Sequence, residues 1–351
     1  MPTLTRRQFL SAAATTAGLG LPGCLPSGDD ITLQGSGATF PAPLYKRWFL
    51  EYYRAHPEVR INYTPIGSGA GIRQFTAGLV GFGASDAGMS KKEIDKLPPD
   101  FDGVRLLPMT AGSIVLSYNL PGVASAVRLS RKAYLGILLR EITDWDDAEI
   151  ARCNPDTRLP AMPVTVITRA DSSGTTYAFT NHLSAVGKAI GTPWTPGVDK
   201  SVRWPESIAA QGNDGVAALI QLTPGAVGYL EFGYAELAHL PTAALENKAG
   251  HYMTAGQESG LKALAGAKIP PDLQIKVPDP ADPEAYPIVT YTWLLCRGRY
   301  PDAKVAETLK KVIAYGLDDG QKISADLGYI PLPADVVGKV RLALDTIRAE
   351  P

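Results

Sequence analysis

Four times in this chain an apolar, strand-like run ends in a short polar turn that leads toward a helix-like pattern. Residues 31–34 lead into Gly35-Ser36-Gly37-Ala38-Thr39-Phe40-Pro41, after which Tyr45, Trp48, Phe49 and Tyr52 fall on one helical face. Pro41 is expected just inside the helix start, which places Thr39 and Phe40 at its N-terminus. Residues 59–66 alternate and are rich in β-branched side chains. Gly67-Ser68-Gly69-Ala70-Gly71 then reads as a glycine turn ahead of a helix face made by Ile72, Phe75 and Leu79. Residues 80–84 precede Ser85-Asp86-Ala87-Gly88, and Ser90 with Glu93 forms a capping-box pattern. Residues 163–167 precede TRADSSGTTYAFTNHL, residues 168–183, where Tyr177, Phe179 and Leu183 begin a helical pattern. Repeated strand–turn–helix units dictate an α/β chain with a mostly parallel sheet and helices on its faces. Ligands of such sheets bind outside the carboxyl ends of the strands, where all four turns lie.

The turns are chemically matched to a small oxyanion. The first N–H groups of a helix have no partner within it, and the helix dipole adds partial positive charge there. Thr39, Ser68, Ser173 and Thr175 bring hydroxyls, and Phe40, Gly174 and Thr175 bring backbone N–H groups. Arg169 brings a full charge in a planar fork. Asp171 is out of place in an anion site unless it holds Arg169. Asp86 is an acceptor only, so beside an anion it repels a fully ionised species and accepts a hydrogen bond from a protonated one. Phosphate near neutral pH carries a proton and sulfate does not. Asp, Ser and Thr also precede helices as ordinary caps, and glycine makes ordinary tight turns, so it is the coincidence of four turns that carries the reading.

At 351 residues and 45% hydrophobic, the chain can bury two sizeable cores. Residues 104–120 hold two apolar runs joined around Ala111-Gly112 with no helix between them. Residues 288–296 form a long β-branched and aromatic run, and these two stretches read as crossings between lobes. The expected division is residues 30–108 plus 289–351 for lobe I and 109–288 for lobe II. Helices are expected over 130–139, 213–222, 255–267, 302–315 and 334–347, a strand over 226–232 and a loop over 270–287. Net charge is −1, and no Lys/Arg cluster stands out, which argues against a nucleic-acid binder. The four histidines and the cysteines lack metal-ligand spacing, so neither metal nor cofactor is expected. Cys153 and Cys296 fall in segments assigned to different lobes, and no bridge between them is expected.

Residues 1–24 read as a targeting segment. Thr5-Arg6-Arg7-Gln8-Phe9-Leu10 is a twin-arginine motif, followed by a short small-residue run. Leu21-Pro22-Gly23-Cys24 resembles a bacterial lipobox with Cys24 as the lipidated residue, although Pro22 departs from the usual choice. Loss of residues 1–23 removes two arginines and no acids, leaving 32 basic against 35 acidic side chains, a net charge near −3. An anion must then be held by local dipoles and hydrogen bonds rather than by a bulk positive field.

The motifs GSGATFPAPLYKRW, GSGAGIRQF, FGASDAGMS, TRADSSGTTYAFT and GNDGVAALIQLTPGAVGYLEFGYA resemble, in order and spacing, the phosphate-binding proteins of bacterial high-affinity phosphate ABC transporters. The resemblance runs from about Leu33 to about Ala343. It implies the two-lobed type II periplasmic-binding-protein fold, with two crossover strands and the ligand in the interlobe cleft. It implies phosphate contacts from Thr39, Phe40 (backbone), Ser68, Asp86, Arg169, Ser173, Gly174 and Thr175, with Asp171 supporting Arg169. Two positions depart from the family's pattern: Gly69 stands where a second serine is frequent, and Ser172 where glycine is frequent. The implied function is capture of inorganic phosphate outside the cytoplasmic membrane by a monomer and delivery to an ABC permease and its ATPase, without chemistry on the ligand. Two alternatives remain: a phosphoryl-transfer enzyme or ester hydrolase with Ser173 or Ser68 as nucleophile, and the same fold holding sulfate or molybdate. No histidine adjoins the turns to serve the first, and Asp86 argues against the second.

Overall fold

The computed structural model describes residues 30–123 and 125–350. The expected export segment, with Cys24, lies outside the described residues. Alternation and β-branching make strands of β1 (Ile31–Gly37) and β2 (Val59–Pro65), and between them the four-residue aromatic face drives α1 (Ala42–Ala55). Tyr45, Trp48, Phe49 and Tyr52 are all buried, and Trp48 Nε1 donates to the Gly320 carbonyl at 2.8 Å. Burial of each such ring is worth about 2–3 kcal/mol. Pro41 caps α1 from outside, and Pro43 is the proline of its first turn. The helix expected after the second turn is α2 (Ser68–Thr76). It begins at Ser68, so Gly69 and Gly71 lie inside the helix, while Leu79 lies beyond its end and is 72% exposed. Next come β3 (Phe82–Ser85) and the single turn α3 (Lys91–Ile94), where the expected capping box forms.

The two apolar runs expected around Ala111-Gly112 form one fifteen-residue strand, β4 (Val104–Tyr118). After the short β5 (Arg128–Leu129), Ser130 caps α4 (Arg131–Leu139), and α5 (Ala148–Cys153) follows. The strand before the fourth turn, β6 (Thr165–Arg169), runs two residues further than its pattern suggests, so Arg169 is its last residue. Then come α6 (Gly174–Ile190), β7 (Ile208–Ala210), α7 (Gly212–Leu222), β8 (Ala226–Glu231) and α8 (Phe232–Leu237). Short strands β9 (Ala244–Glu246) and β10 (Tyr252–Met253) precede α9 (Gln257–Ala265). The returning strand is β11 (Val289–Arg297). The chain closes with β12 (Arg299–Tyr300), α10 (Ala303–Leu317), α11 (Asp319–Asp326), α12 (Ala334–Asp345) and β13 (Arg348–Ala349).

The main sheet runs β2-β1-β3-β11-β4-β8-β6-β7. Strands β1, β2 and β3 are parallel, as are β6, β7 and β8, and β4 and β11 lie between the two groups in antiparallel register. Strand β4 pairs with β11 through Ser113 and with β8 from Ile114 onward. A strand that changes partners midway, buried along nearly its whole length, joins the two groups. Cys153 and Cys296 are both buried and free.

Candidate anion-binding site

The first turn presents its N–H side because its carbonyls are already occupied. Tyr63, Tyr234 and Tyr329 each donate a hydroxyl hydrogen, at 2.6 Å, to the carbonyls of Ala38, Thr39 and Phe40 in turn. Carbonyl oxygens would repel an anion, and here three in succession face tyrosines instead. The Phe40 ring is fully buried and meets Tyr329 edge-on, so the side chain anchors a loop whose backbone serves the site.

The second turn approaches the fourth closely. Gly67 has φ +89°, and a Cβ there would fall 2.4 Å from Asp171 Oδ2, so both conformation and space require glycine. Gly69 N–H donates to the Ser172 carbonyl at 2.8 Å. A Cβ on Gly69 would fall 2.1 Å from Ser172 Oγ. The two departures from the family's pattern therefore meet: the serine at 172 fills the space a side chain at 69 would need.

Arg169 leaves β6 almost wholly buried, a placement that demands pairing. Asp171 takes one edge of the guanidinium, accepting from Nε at 2.8 Å and from Nη2 at 2.6 Å, and it also accepts the Gly212 N–H at 3.1 Å. Burial works to raise the Asp171 pKa, but the hydrogen bonds and charge of Arg169 outweigh it and hold the carboxyl below its usual range. The rest of the fork turns inward, with Nη2 3.1 Å from Thr39 Oγ1 and Nη1 3.4 Å from Thr175 Oγ1.

Ser173 is the N-cap of α6, its Oγ accepting the Thr176 N–H at 3.1 Å, which leaves the hydroxyl hydrogen free to donate. Gly174 N–H donates to Ser68 Oγ at 3.0 Å. Asp86, fully buried at the end of β3, faces this group. Its Oδ2 lies 3.5 Å from both Ser68 Oγ and Thr175 Oγ1, while Oδ1 accepts from Thr292 Oγ1 of β11 at 2.8 Å. Burial pushes the Asp86 carboxyl up to about 7, against the opposing pull of the Thr292 hydrogen bond and the Arg169 charge.

Thr39, Arg169, Thr175, Asp86, Ser68 and Gly174 are thus linked, in that order, into one cluster of polar atoms by hydrogen bonds of 3.0–3.5 Å. Ser173 and Phe40 join it through the cap and the first turn. Several of these bonds are at the long limit and weak, so an oxyanion placed among these groups would exchange them for shorter, charge-assisted bonds. The cluster holds one full positive charge, several groups able to donate and one, the Asp86 carboxylate, that only accepts when ionised.

Sequence reasoning did not reach Asn213, Thr292 or the three tyrosines. Asn213 Nδ2 donates to Thr39 Oγ1 at 2.8 Å across 174 positions of chain. No local pattern signals such pairs; only the parity of β11, which turns Thr292 toward Asp86, was in principle readable.

A family profile described as "PBP superfamily domain" matches residues 12–319. The phosphate-binding protein PstS of Methanocaldococcus jannaschii is 34% identical over 330 residues, covering 87% of this chain and 84% of that protein. PstS of Haemophilus influenzae is 33% identical over 327 residues, covering 91% and 94%. Among solved structures, a high-affinity periplasmic phosphate-binding protein (PfluDING) bound with phosphate superposes with a TM-score of 0.74 at 21% identity, covering 89% of this chain and 93% of that one. The sheet order, the two strands running between its parallel groups and these likenesses agree: the chain has the two-lobed type II fold and belongs to the PBP superfamily, within the family of phosphate-binding proteins named PstS.

Proposed function

We propose that this protein binds inorganic phosphate in the cluster of groups around Arg169 and hands it to an ABC permease for import, leaving the ligand chemically unchanged. The observation that carries the reading is the buried Asp86 carboxyl set among hydroxyl, N–H and guanidinium donors. A site of donors alone suits any oxyanion; one buried acceptor among them suits an oxyanion that carries a proton. Where Asp86 is ionised, above its pKa of about 7, an unmet carboxylate lone pair costs about 1–3 kcal/mol, which disfavours sulfate by roughly tenfold to a few hundredfold before charge repulsion is added. The relatives named above as phosphate-binding proteins support the same choice.

The ligand contacts in this reading are Thr39, the Phe40 backbone, Ser68, Asp86, Arg169, Ser173, Gly174 and Thr175. Lobe I comprises residues 30–108 and 289–351, and lobe II residues 109–288, with β4 and β11 as the hinge strands. The absence of catalysis is supported by the commitments of the groups present. Ser173 Oγ caps α6, and His182 is buried between the Tyr134 hydroxyl and the Pro278 carbonyl. The motifs in residues 5–24 support twin-arginine export and a lipid anchor at Cys24, placing a monomer at the outer face of the membrane. Among the described residues no helix is long and apolar enough to cross a membrane.

The direct test is the phosphate content of the purified protein before and after unfolding and dialysis, followed by calorimetric titration. The expected result is co-purified phosphate and stoichiometric rebinding. Turnover of a chromogenic phosphate ester would refute the binding-only reading.

A further inference from the structure

The Thr39 hydroxyl carries one hydrogen and two acceptor lone pairs, so its role toward an ion depends on what else it bonds. Three N–H donors converge on its oxygen: Asn213 Nδ2 at 2.8 Å, Arg169 Nη2 at 3.1 Å and the Asn213 backbone N–H at 3.4 Å. The lone pairs are occupied, and the hydrogen has no room among three donors. It must point away from them, and the polar groups that continue from Arg169 are Thr175 and Asp86, where an ion would lie.

Asn213 is fully buried, and its amide cannot turn over. Its Oδ1 accepts the Glu231 N–H at 3.0 Å, which commits Nδ2 to donate. The preceding residue, Gly212, donates its N–H to Asp171 Oδ1. Two adjacent residues at the start of α7 therefore hold both Thr39 and the partner of Arg169. Resting on the phosphate-binding reading above, we propose that Asn213 is a positioning residue that fixes the Thr39 hydroxyl as an obligate donor toward the bound oxyanion. Such a donor is aimed before the ligand arrives, so binding requires no reorientation of it.

The test is a double-substitution cycle read by calorimetry with inorganic phosphate at one pH and ionic strength. The proteins are the unsubstituted chain, Asn213→Ala, Thr39→Val and the double variant. Asn213→Ala is expected to weaken phosphate binding by about 10- to 100-fold in the unsubstituted background. Where Thr39 is already valine it should cost less than about threefold. The near-isosteric Asn213→Asp keeps the Glu231 bond but offers Thr39 an acceptor, which draws the hydroxyl hydrogen away from the ion. It should lose at least as much affinity as Asn213→Ala. Equal losses in both Thr39 backgrounds, or undiminished binding by Asn213→Asp, would overturn the role of Asn213 while leaving phosphate binding intact. Failure of the unsubstituted chain to bind phosphate would overturn the underlying reading and this proposal with it.

Discussion

Arg169 and Thr39, 130 positions apart, meet through a hydrogen bond of 3.1 Å from Nη2 to Oγ1. One residue ends a strand of the second parallel group, and the other follows a strand of the first. The bond links the two groups at the point where the chain's buried cation faces a hydroxyl. The site is therefore shared between the groups, and an ion held there would hold them together.

Arg169→Ala should weaken phosphate binding by at least about 2 kcal/mol, because charge-assisted bonds in a closed cleft are lost and Asp171 is left without its partner. Arg169→Lys should fall between the two, since it keeps the charge and loses the fork. Calorimetry at constant pH measures both, and an unchanged dissociation constant for the alanine variant refutes the role.

Gly174→Ala should prevent full closure. A Cβ there would lie 2.6 Å from Ser68 Oγ and 2.7 Å from the Asp86 backbone nitrogen, which cannot yield as a flexible side chain does. Phosphate affinity should fall by about 10- to 100-fold, in line with the cost of overpacking. X-ray scattering should show a radius of gyration that no longer shrinks when phosphate is added; normal compaction would contradict this.

Lys200 and Glu93 form an ion pair of 2.8 Å, mostly buried, between the segment joining α6 to β7 and the capping box of α3. Burial acts to raise the Glu93 pKa, but Lys200 and Ser90 together hold it below its usual range. Lys200→Met should weaken phosphate binding by about two- to fivefold, with the loss expressed in faster release and reduced at high salt. Stopped-flow release at low and high ionic strength checks it. Equal release rates for variant and parent at low salt would count against a role of this ion pair in retaining the ligand.

Asp86 ties stability to pH with a definite sign. Its folded pKa, about 7, lies above the unfolded carboxylate value, so the folded chain holds the proton more tightly. Its contribution is fully present below the unfolded pKa and is lost as pH rises through about 7. In phosphate-free buffer the midpoint of thermal unfolding should therefore fall more steeply between about pH 4 and 7 for the unsubstituted protein than for Asp86→Asn. Parallel curves would show that Asp86 is not perturbed.

The frame of the fold was legible because periodicity reports burial directly. The aromatic face of α1, the capping box at Ser90 and the two apolar runs that make β4 each follow from side-chain spacing. Elements of six to eight residues, such as α8 and α11, were not legible, because too few turns exist for a period to show. Gly69 and Gly71 read as turn residues yet sit inside α2, where close approach to Ser172 and to Gly37 excludes any side chain. The site's charged and hydroxylic members were readable from composition at strand ends. The tyrosines on three carbonyls and Asn213 on Thr39 were not, since each is a tertiary pairing with no local trace, and of Thr292 behind Asp86 only the strand parity was readable.

The most direct test of the account is calorimetric titration of ligand-stripped protein with phosphate and with sulfate, on the parent chain and on Asp86→Asn. Strong preference for phosphate is expected in the parent, declining as pH falls through about 7 because a protonated Asp86 can donate its hydrogen to a sulfate oxygen. Asp86→Asn should lose the preference at every pH. Equal selectivity in parent and variant, or sulfate bound as tightly as phosphate by the parent, would contradict it.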